Sequence, residues 1–203
     1  MLVRLVSPGD FIAFDFSVEF RSRWANPTVT MLISKKINDA INEQIGNEFN
    51  ASLQYVSIAA HFEGETLPML ARHFYRQAEE ERDHAMRFVK YILDAGGRVV
   101  IPAVPAPQNK FGSAEEAVKL SLDQELKVTQ QVNHLVAMAK GAKDFTTDNF
   151  LQWFVREQLE EVKSMTDLLN VIRRATEKNL LRVEEYLARH PMVADVEEAG
   201  DAT

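Results

Sequence analysis

Residues 79–84 (Glu-Glu-Glu-Arg-Asp-His) contain the side-chain types that bind divalent metal ions. Glu81 and His84 are three positions apart, so a helix places their carboxylate and imidazole on one side, about one turn from each other. Facing helices of a bundle use this Glu-x-x-His spacing to direct both groups at the same ion. Many solvated helix faces contain one such pair by chance, so a metal site requires matching groups from other helices.

The segment that carries this pair, residues 67–95, has the apolar periodicity of a long helix. Glu81 falls within about 20° of Phe74 and Ile92 at the helical spacing of about 100° per residue, so it occupies a core position. A lone charge there costs several kcal/mol, and Glu81 must therefore be neutralised or paired with a cation. The predicted inward face consists of Leu70, Phe74, Gln77, Glu81, Phe88 and Ile92.

Start and stop residues divide the chain into five predicted helices. Ser34 is a candidate N-cap, and Ser113 opens a capping box. Pro68 suits a first helical turn, and Gly96-Gly97 ends the second helix. The helices are predicted from 34 to about 62, from 67 to 95, from 113 to about 140, from Asp144 or Thr147 onward, and from about 177 to 189, where Pro191 stops the last one.

The connections between these helices differ in length. Residues 64–66 form a short turn, which makes the first two helices antiparallel neighbours. Residues 98–112 contain three prolines and too little periodicity for a helix, so we expect an ordered crossover along the bundle. The predicted fold is all-α: a four-helix bundle with a long crossover between the second and third helices and a short fifth helix at the C-terminal end.

Each of the other long helices also carries a carboxylate in its apolar stripe. These residues are Glu48 in the first helix, Glu125 in the third and Glu161 in the fourth. Tyr55 follows Glu48 by two turns on the same face, where a core aromatic with a satisfied hydroxyl is the alternative. The rest of the predicted inward faces are Ile37, Ile41, Ile45, Ser52 and Ala59; Val118, Ser121, Val128, Val132 and Leu135; and Phe150, Phe154, Glu157, Met165, Leu168 and Ile172.

In a bundle of this topology, the mid-helix carboxylates meet at the same height. Without a counter-charge, Glu48, Glu81, Glu125 and Glu161 would repel one another in the core, and two divalent metal ions would provide that charge. An oxygen-rich set with one imidazole suits iron, manganese or zinc. Hard anionic ligands stabilise Fe(III) more than Fe(II), so the residues favour a centre that oxidises Fe(II) with oxygen.

Taken together, these motifs resemble those of the non-haem bacterial ferritins over residues 34–190. The matching motifs are Glu48 with Tyr55, Glu81-x-x-His84, Glu125 before Thr129-Gln130, and Phe150-Leu151-Gln152-Trp153 leading to Glu157-Gln158-Leu159-Glu160-Glu161. The resemblance implies a ferritin-like fold and an iron-storage protein with ferroxidase activity. It also implies a hollow shell of twenty-four identical subunits that takes in Fe(II) with O2 or peroxide and retains ferric mineral.

The resemblance also assigns roles to individual residues. It implies a first iron site of Glu48, Glu81 and His84, a second of Glu81, Glu125 and Glu161, and a third of Glu80, Glu157, Glu160 and Glu161, with Gln158 and Tyr55 beside the pair.

At three positions the sequence differs from the motifs of related ferritin-like families. Ser164 stands where a second Glu-x-x-His motif would have its histidine, so the bacterioferritin and rubrerythrin arrangement is not met. Arg82 stands where bacterioferritin has its haem-binding methionine, so we expect no haem. Asp148 could match one acidic residue of the animal threefold channel, but Leu151 stands where the other would be, so the route of iron entry is not defined by these residues.

Composition places the chain among soluble globular proteins. The 203 residues include no cysteine, which excludes disulfides and thiolate metal sites and fits the cytoplasm. The formal charge of −7 disfavours nucleic acid as a partner, and no apolar run is long enough to span a membrane.

The two ends of the chain do not follow the helical pattern. Residues 1–33 are expected to be an N-terminal extension; residues 14–20 alternate like a strand that has no predicted partner, and the functional protein is expected to begin at Met31. A real extension that docks on a neighbouring subunit is the alternative. The ferritin-like di-iron domain is expected over 34–190, and 191–203 is expected to be a flexible acidic tail.

Other functions remain as alternatives at this point. A structural or cargo shell subunit would use metal only to fasten the bundle. A DNA-protecting mini-ferritin places its metal site between subunits and often has a basic tail, whereas this set of candidate ligands is complete in one chain. A coiled-coil scaffold is disfavoured by a carboxylate in every stripe.

Overall fold

The computed structural model describes residues 31–190, and these residues form an all-helical bundle. Its helices are α1 (Lys35–Gly64), α2 (Pro68–Asp94), α3 (Ala114–Gly141), α4 (Phe145–Ala175) and, after a 3-10 turn (Glu177–Asn179), α5 (Leu180–Arg189). The predicted fold, with four long helices and a short fifth, is confirmed. The strand-like pattern of residues 14–20, the rest of the expected extension up to residue 30 and the acidic tail 191–203 lie outside the described residues.

Local hydrogen bonds explain where three of the helices begin. The hydroxyl of Ser34 accepts a hydrogen bond from the N–H of Ile37 at 3.3 Å, and that of Ser113 accepts one from Glu116 at 3.0 Å. The carboxylate of Asp144 accepts one from the N–H of Thr147 at 2.9 Å. Asp144 is therefore the cap of α4, the earlier of the two predicted starts.

Helix α2 has no capping side chain of its own, because Leu67 occupies its N-cap position. The carboxylate of Glu184 on α5 accepts hydrogen bonds from the N–H groups of Met69 at 2.7 Å and Leu70 at 2.9 Å. A negative charge is favourable at the start of a helix, where N–H groups are unpaired and the dipole is positive. The fifth helix is thereby fixed to the start of α2.

Amide side chains of α1 hold the beginning of the crossover. Asn38 and Asn42 donate to the carbonyl of Arg98 at 3.0 and 2.9 Å. Their side-chain oxygens accept from the N–H groups of Arg98 at 2.9 Å and Val100 at 2.8 Å. These buried amides give the extended backbone the hydrogen bonds that a helix or sheet would otherwise supply.

The middle and end of the crossover also lie against α1. Gln54 exchanges two hydrogen bonds with the backbone of Gln108, at 3.0 and 2.8 Å. Between the two attachments, Pro102 packs on Gly46, where an added Cβ would lie 2.3 Å from the Pro102 ring. Only glycine permits this close approach, so the path of the crossover depends on residue 46.

The core consists of two apolar clusters. One contains Phe62, Leu70, Phe74, Met165 and Leu168, and the other contains Ile41, Ile45, Phe88, Val132 and Phe154. On every long helix, the central carboxylate lies in sequence between the residues of the first cluster and those of the second. The bundle therefore has a polar layer at mid-height with an apolar cluster at each end.

The inward face of α4 differs slightly from the predicted one. Leu151 and Gln158 are buried, whereas Phe150 and Glu157, which were predicted to face inward, are half-buried. The ring of Phe150 instead stacks on Tyr91 with centroids 4.0 Å apart. Ser52, predicted inward on α1, is likewise half-buried, and its hydroxyl donates to the carbonyl of Ala78 at 2.7 Å.

None of the helices found between residues 31 and 190 combines the length and apolar character that crossing a membrane requires.

Candidate metal centre

The carboxylates predicted on the inward faces of the long helices are buried together. The side chains of Glu48, Glu81 and Glu125 are 0% exposed, and that of Glu161 is 5% exposed. His84 is 4% exposed. We call these five residues the carboxylate centre. The helical register that fixes the apolar clusters above and below also places all five at mid-bundle.

Three residues of the centre offer ligand atoms to one point. Glu48, Glu81 and His84 each contribute an atom, and these atoms lie within 4.8 Å of one another. The Nδ1 atom of His84 is 3.4 Å from Oε2 of Glu81. We call this group the inner triad, and it is one half of a candidate di-iron site.

A second group shares the imidazole with the first. His84, Glu157 and Glu161 also place one ligand atom each within 4.8 Å of one another. Here the opposite nitrogen of His84, Nε2, lies 3.9 Å from Oε1 of Glu157. We call this group the rim triad, because Glu157 is half-buried and 28% of its side chain is exposed.

Glu125 lies in the centre but belongs to neither triad. One of its oxygens, Oε1, accepts a hydrogen bond from the hydroxyl of Tyr55. Its other oxygen lies 3.5 Å from the Nε2 of Gln158. Tyr55 and Gln158 were predicted beside the metal pair, and in the structure both contact this carboxylate.

Within the described residues, several carboxylate oxygens of the centre have only other carboxyls and the His84 imidazole as near polar neighbours. No amide or hydroxyl group of residues 31–190 donates to Oε2 of Glu48 or to either oxygen of Glu81. Buried oxygens are normally paired with a donor, because leaving them unpaired costs about 1–3 kcal/mol each. Carboxylate oxygens beside a buried imidazole are a donor set that suits iron, so the residues present fit the predicted metal.

Burial raises the pKa values of the central carboxylates. The pKa of Glu48 and that of Glu125 rise from 4.5 to about 7, chiefly because burial disfavours the charged form. The pKa values of Glu81 and Glu161 rise well above 4.5 for the same reason, and nearby carboxylates raise them further. A divalent cation that binds here displaces protons from these groups, so binding strengthens as the pH rises.

Burial has the opposite effect on the imidazole. The pKa of His84 falls from 6.5 to about 4, mainly through desolvation and secondarily through the charge of Arg87. The ring is therefore neutral at physiological pH and keeps a lone pair for a metal ion. Aromatic rings pack around it: Trp153 and Phe154 form T-shaped pairs with it at centroid distances of 5.4 and 5.9 Å.

The remaining residues of the predicted third iron site are not all brought together. Glu80 is half-buried, lies 3.6 Å from the Arg76 guanidinium and is close enough to Glu161 to raise its pKa. The amide of Gln77 also donates to it. Glu160 is exposed to solvent. Neither Glu80 nor Glu160 belongs to a triad among the described residues, where His84 joins Glu157 and Glu161 instead.

Two polar contacts beside the centre were not predicted from the sequence, although Thr129 itself stands in one of the matching motifs. Gln44 is buried and donates to Oε1 of Glu48 at 2.8 Å, and its Nε2 lies 3.4 Å from Oε1 of Gln131. Gln44 precedes Glu48 by one turn, so its helical spacing could have indicated it. Thr129 contacts Gln158 across the α3 and α4 helices, which no local pattern indicates.

The bundle and its centre define a class of protein: four long helices that each contribute a carboxylate to a candidate di-iron site. A family model described as a ferritin-like domain matches residues 38–175, more than half of the chain, and the chain belongs to the ferritin family.

Named relatives agree with this assignment. Ferritin BfrB of Mycobacterium tuberculosis is 48% identical over 159 residues, covering 78% of this chain and 87% of the relative. The bacterial non-heme ferritin of Staphylococcus aureus is 36% identical over 143 residues, covering 70% and 86%. An open pore ferritin from the archaeon Archaeoglobus fulgidus matches in structure with a TM-score of 0.75 and 34% identity, covering 79% of this chain and 99% of that chain.

Proposed function

We propose that this protein is an iron-storage ferritin with ferroxidase activity, which oxidises Fe(II) with O2 at the carboxylate centre and stores the ferric product inside a cage. One observation carries the proposal: buried carboxylate oxygens without amide or hydroxyl donors lie around a neutral imidazole. The chain would retain such an arrangement at a cost in stability if metal ions were its partners.

The residues would act by binding, by favouring the oxidised product and by excluding water. Carboxylates that lose their protons on binding neutralise the charge of the entering ions. Hard oxygen ligands then bind Fe(III) more tightly than Fe(II), which makes loss of an electron more favourable. Two Fe(II) ions supply two electrons, and O2 that takes them up with two protons leaves as hydrogen peroxide.

Each residue has a proposed place in this centre. Glu48, Glu81 and His84 would hold the first iron, as the inner triad supports. Glu81, Glu125 and Glu161 would hold the second, with Tyr55 and Gln158 orienting Glu125. Glu80, Glu157, Glu160 and Glu161 remain the proposed third site, and the rim triad supports the participation of Glu157 and Glu161.

We also propose that twenty-four subunits assemble into the cage. The support is the 48% identity to ferritin BfrB and the structural match to the open pore ferritin. Native mass spectrometry of the purified protein would give the number of subunits. A stable monomer or dimer that takes up no mineral would contradict the proposed store.

The oxidation step is tested by loading the protein with Fe(II) without oxygen and then mixing it with O2. We expect the parent to oxidise two Fe(II) per subunit rapidly and then to deposit mineral. Glu81→Ala should slow the first phase on the order of a hundredfold, because the residue lies in both proposed iron sites. Stopped-flow absorbance measures the rate.

Glu79→Ala is the matched control for this experiment. Glu79 lies two positions away on α2, carries the same charge and is exposed, so its loss should not change the rate. Equal rates for parent and Glu81→Ala would remove Glu81 from the mechanism. A parent that assembles and binds metal but does not accelerate oxidation would favour the structural shell subunit instead.

A further inference from the structure

We propose that Thr129 is a positioning residue for the carboxylate centre: its hydroxyl holds the Gln158 side chain in the orientation that presents the amide NH2 to Glu125. The inference rests on the proposed function, because it concerns how a ligand of the second metal ion is held. It adds to the centre a residue that has neither a carboxylate nor an imidazole and so belongs to neither triad.

The contacts form a chain from α3 to α4. Thr129 follows Glu125 by one turn, and its Oγ1 lies 2.9 Å from Oε1 of Gln158. The other end of the same amide, Nε2, lies 3.5 Å from Oε2 of Glu125. Gln158 is 3% exposed, so water has little access to its amide.

The Thr129 hydroxyl has one hydrogen and two acceptors within reach. Its Oγ1 is 2.8 Å from the backbone carbonyl of Glu125 and 2.9 Å from Oε1 of Gln158. The carbonyl already accepts the α-helical hydrogen bond from the backbone N–H of residue 129. The hydroxyl is the donor that the structure gives to Gln158, so donation to the side-chain oxygen satisfies both groups.

The alternative orientation of the amide is unfavourable next to an ionised carboxylate. Rotating the Gln158 amide by half a turn would place its oxygen about where Nε2 now lies, facing Oε2 of Glu125 at 3.5 Å. Two acceptors would then face each other in a buried site, and the repulsion would displace the carboxylate. In the rotated orientation the Thr129 hydroxyl would accept from the amide and donate to the Glu125 carbonyl at 2.8 Å, so the facing acceptors are what disfavour the rotation. In the observed orientation the hydroxyl donates to the amide oxygen, and Glu125 keeps its donor.

Glu125 is the central carboxylate for which such orientation matters most. Glu48, Glu81 and Glu161 already have partners in a triad, whereas Glu125 is held by Tyr55 at one oxygen and Gln158 at the other. Hydrogen bonds to a metal-binding side chain typically change metal affinity by about 10- to 100-fold. Loss of the hydroxyl should therefore lower the affinity for the second metal ion and leave the affinity for the first unchanged.

The test compares Thr129→Val, which has nearly the same shape without the hydroxyl, with Thr129→Ser, which keeps it. Anaerobic titration with Co(II), followed by visible absorption and calorimetry, reports both binding steps without any oxidation. We expect Thr129→Val to weaken the second Co(II) about tenfold. Thr129→Ser should restore the parent affinity, and the first Co(II) should bind equally in all three proteins.

Thr166→Val controls for the loss of a helical threonine hydroxyl. Thr166 on α4 is also half-buried and donates to the carbonyl one turn earlier, that of Val162, at 2.6 Å. This variant should bind both Co(II) ions as the parent does. Thermal unfolding of each variant shows whether any loss of affinity accompanies a loss of folding.

A double-mutant cycle tests whether Thr129 acts through Gln158. Gln158→Leu should weaken the second Co(II), and adding Thr129→Val should weaken it no further. Additive losses, or Thr129→Val binding like the parent, would overturn the proposal. So would equal losses in Thr129→Val and Thr129→Ser.

Different outcomes would contradict the proposed function and the proposed role of Thr129. A parent that binds two Co(II) ions with the expected Thr129 dependence but does not oxidise Fe(II) would contradict the ferroxidase and uphold the role of Thr129. A parent that binds fewer than two Co(II) ions per subunit would overturn both.

Discussion

Helix α1 has buried polar side chains in two regions, and the two regions differ in how completely these side chains are hydrogen-bonded. At the crossover, Asn38 and Asn42 have both ends of their amides paired with backbone groups. At the carboxylate centre, one oxygen of Glu48 lacks an amide or hydroxyl donor among residues 31–190, as do both oxygens of Glu81 on the neighbouring α2. The same helix thus contains a completed polar contact and an incomplete one.

This difference separates a structural role from a binding role. A paired buried amide stabilises one path of the chain, and nothing further is needed to satisfy it. Buried carboxylates with raised pKa values and open oxygens destabilise the metal-free protein, and a bound cation reverses that effect. The contrast predicts that removing side chains from the two regions changes stability in opposite directions.

The largest effect is expected from Glu81→Leu in the metal-free protein. Replacing a buried acid by an apolar side chain of similar volume should raise the free energy of unfolding by about 1–4 kcal/mol at neutral pH. Denaturant unfolding in the presence of a chelator measures this change. A less stable metal-free variant would show that Glu81 has a stabilising partner in the chain and would break the comparison.

The pH dependence of the metal-free protein should follow from the same groups. Folding raises the pKa of Glu48 and that of Glu125 from 4.5 to about 7, so the folded chain keeps protons that the unfolded chain has released. The stability from these carboxyls is fully present below pH 4.5 and is lost as the pH rises through about 7. Glu81 and Glu161 extend the loss to higher pH.

His84 acts in the opposite sense but in a lower window. Its pKa falls from 6.5 to about 4, so it adds stability as the pH rises between those values. Above about pH 6.5 the pH dependence of stability comes from the central carboxyls and no longer from His84. Tm should therefore fall by several degrees between about pH 6.5 and about pH 8.5. Scanning calorimetry measures it. Saturating Zn(II) should abolish the fall, and a Tm that stays constant in chelator would contradict the raised pKa values.

A smaller effect of opposite sign to that of Glu81→Leu is expected at the crossover. Asn42→Ala removes the donor to Arg98 and the acceptor for the N–H of Val100. The free energy of unfolding should fall by about 2 kcal/mol, because the N–H of Val100 loses its side-chain partner and the carbonyl of Arg98 keeps only the donor from Asn38. Metal affinity should stay the same. A loss of Co(II) binding equal to the loss of stability would mean that the two regions are not independent.

The smallest effect is expected at Glu184, a buried carboxylate that does have donors. Glu184→Ala leaves the N–H groups of Met69 and Leu70 at the start of α2 without their partner. We expect a loss of about 1 kcal/mol, measured by denaturant unfolding with and without metal. A gain in stability here, as at Glu81, would show that burial alone decides the sign.

The sequence predicted those parts of the molecule that repeat with the helical period. Glu48, Glu81, Glu125 and Glu161 interrupt apolar stripes, so their inward position could be read from spacing alone. The helical period alone does not tell which of two neighbouring residues at the edge of an apolar stripe is the more buried. This is why Gln158, rather than Glu157, turned out to be the more deeply buried of the pair.

Contacts between distant segments could not be predicted in this way. The bond from Glu184 to α2 and the amides that hold the crossover join residues that no local pattern relates. Thr129 belongs to the same group, since its partner lies on the next helix. The sequence therefore predicted which helix faces meet. The hydrogen bonds that hold the crossover, the start of α2 and the carboxylate orientations are visible only in the structure.

The two apolar clusters limit access to the polar layer of the bundle. Phe62 and Phe74 close one end of the polar layer, and Phe88 and Phe154 close the other, all with almost no exposed surface. Glu157 is the triad residue that solvent reaches, with 28% of its side chain exposed. For the proposed metal centre, this arrangement would favour entry of an ion from the flank of the subunit beside Glu157 over entry along the long axis of the bundle.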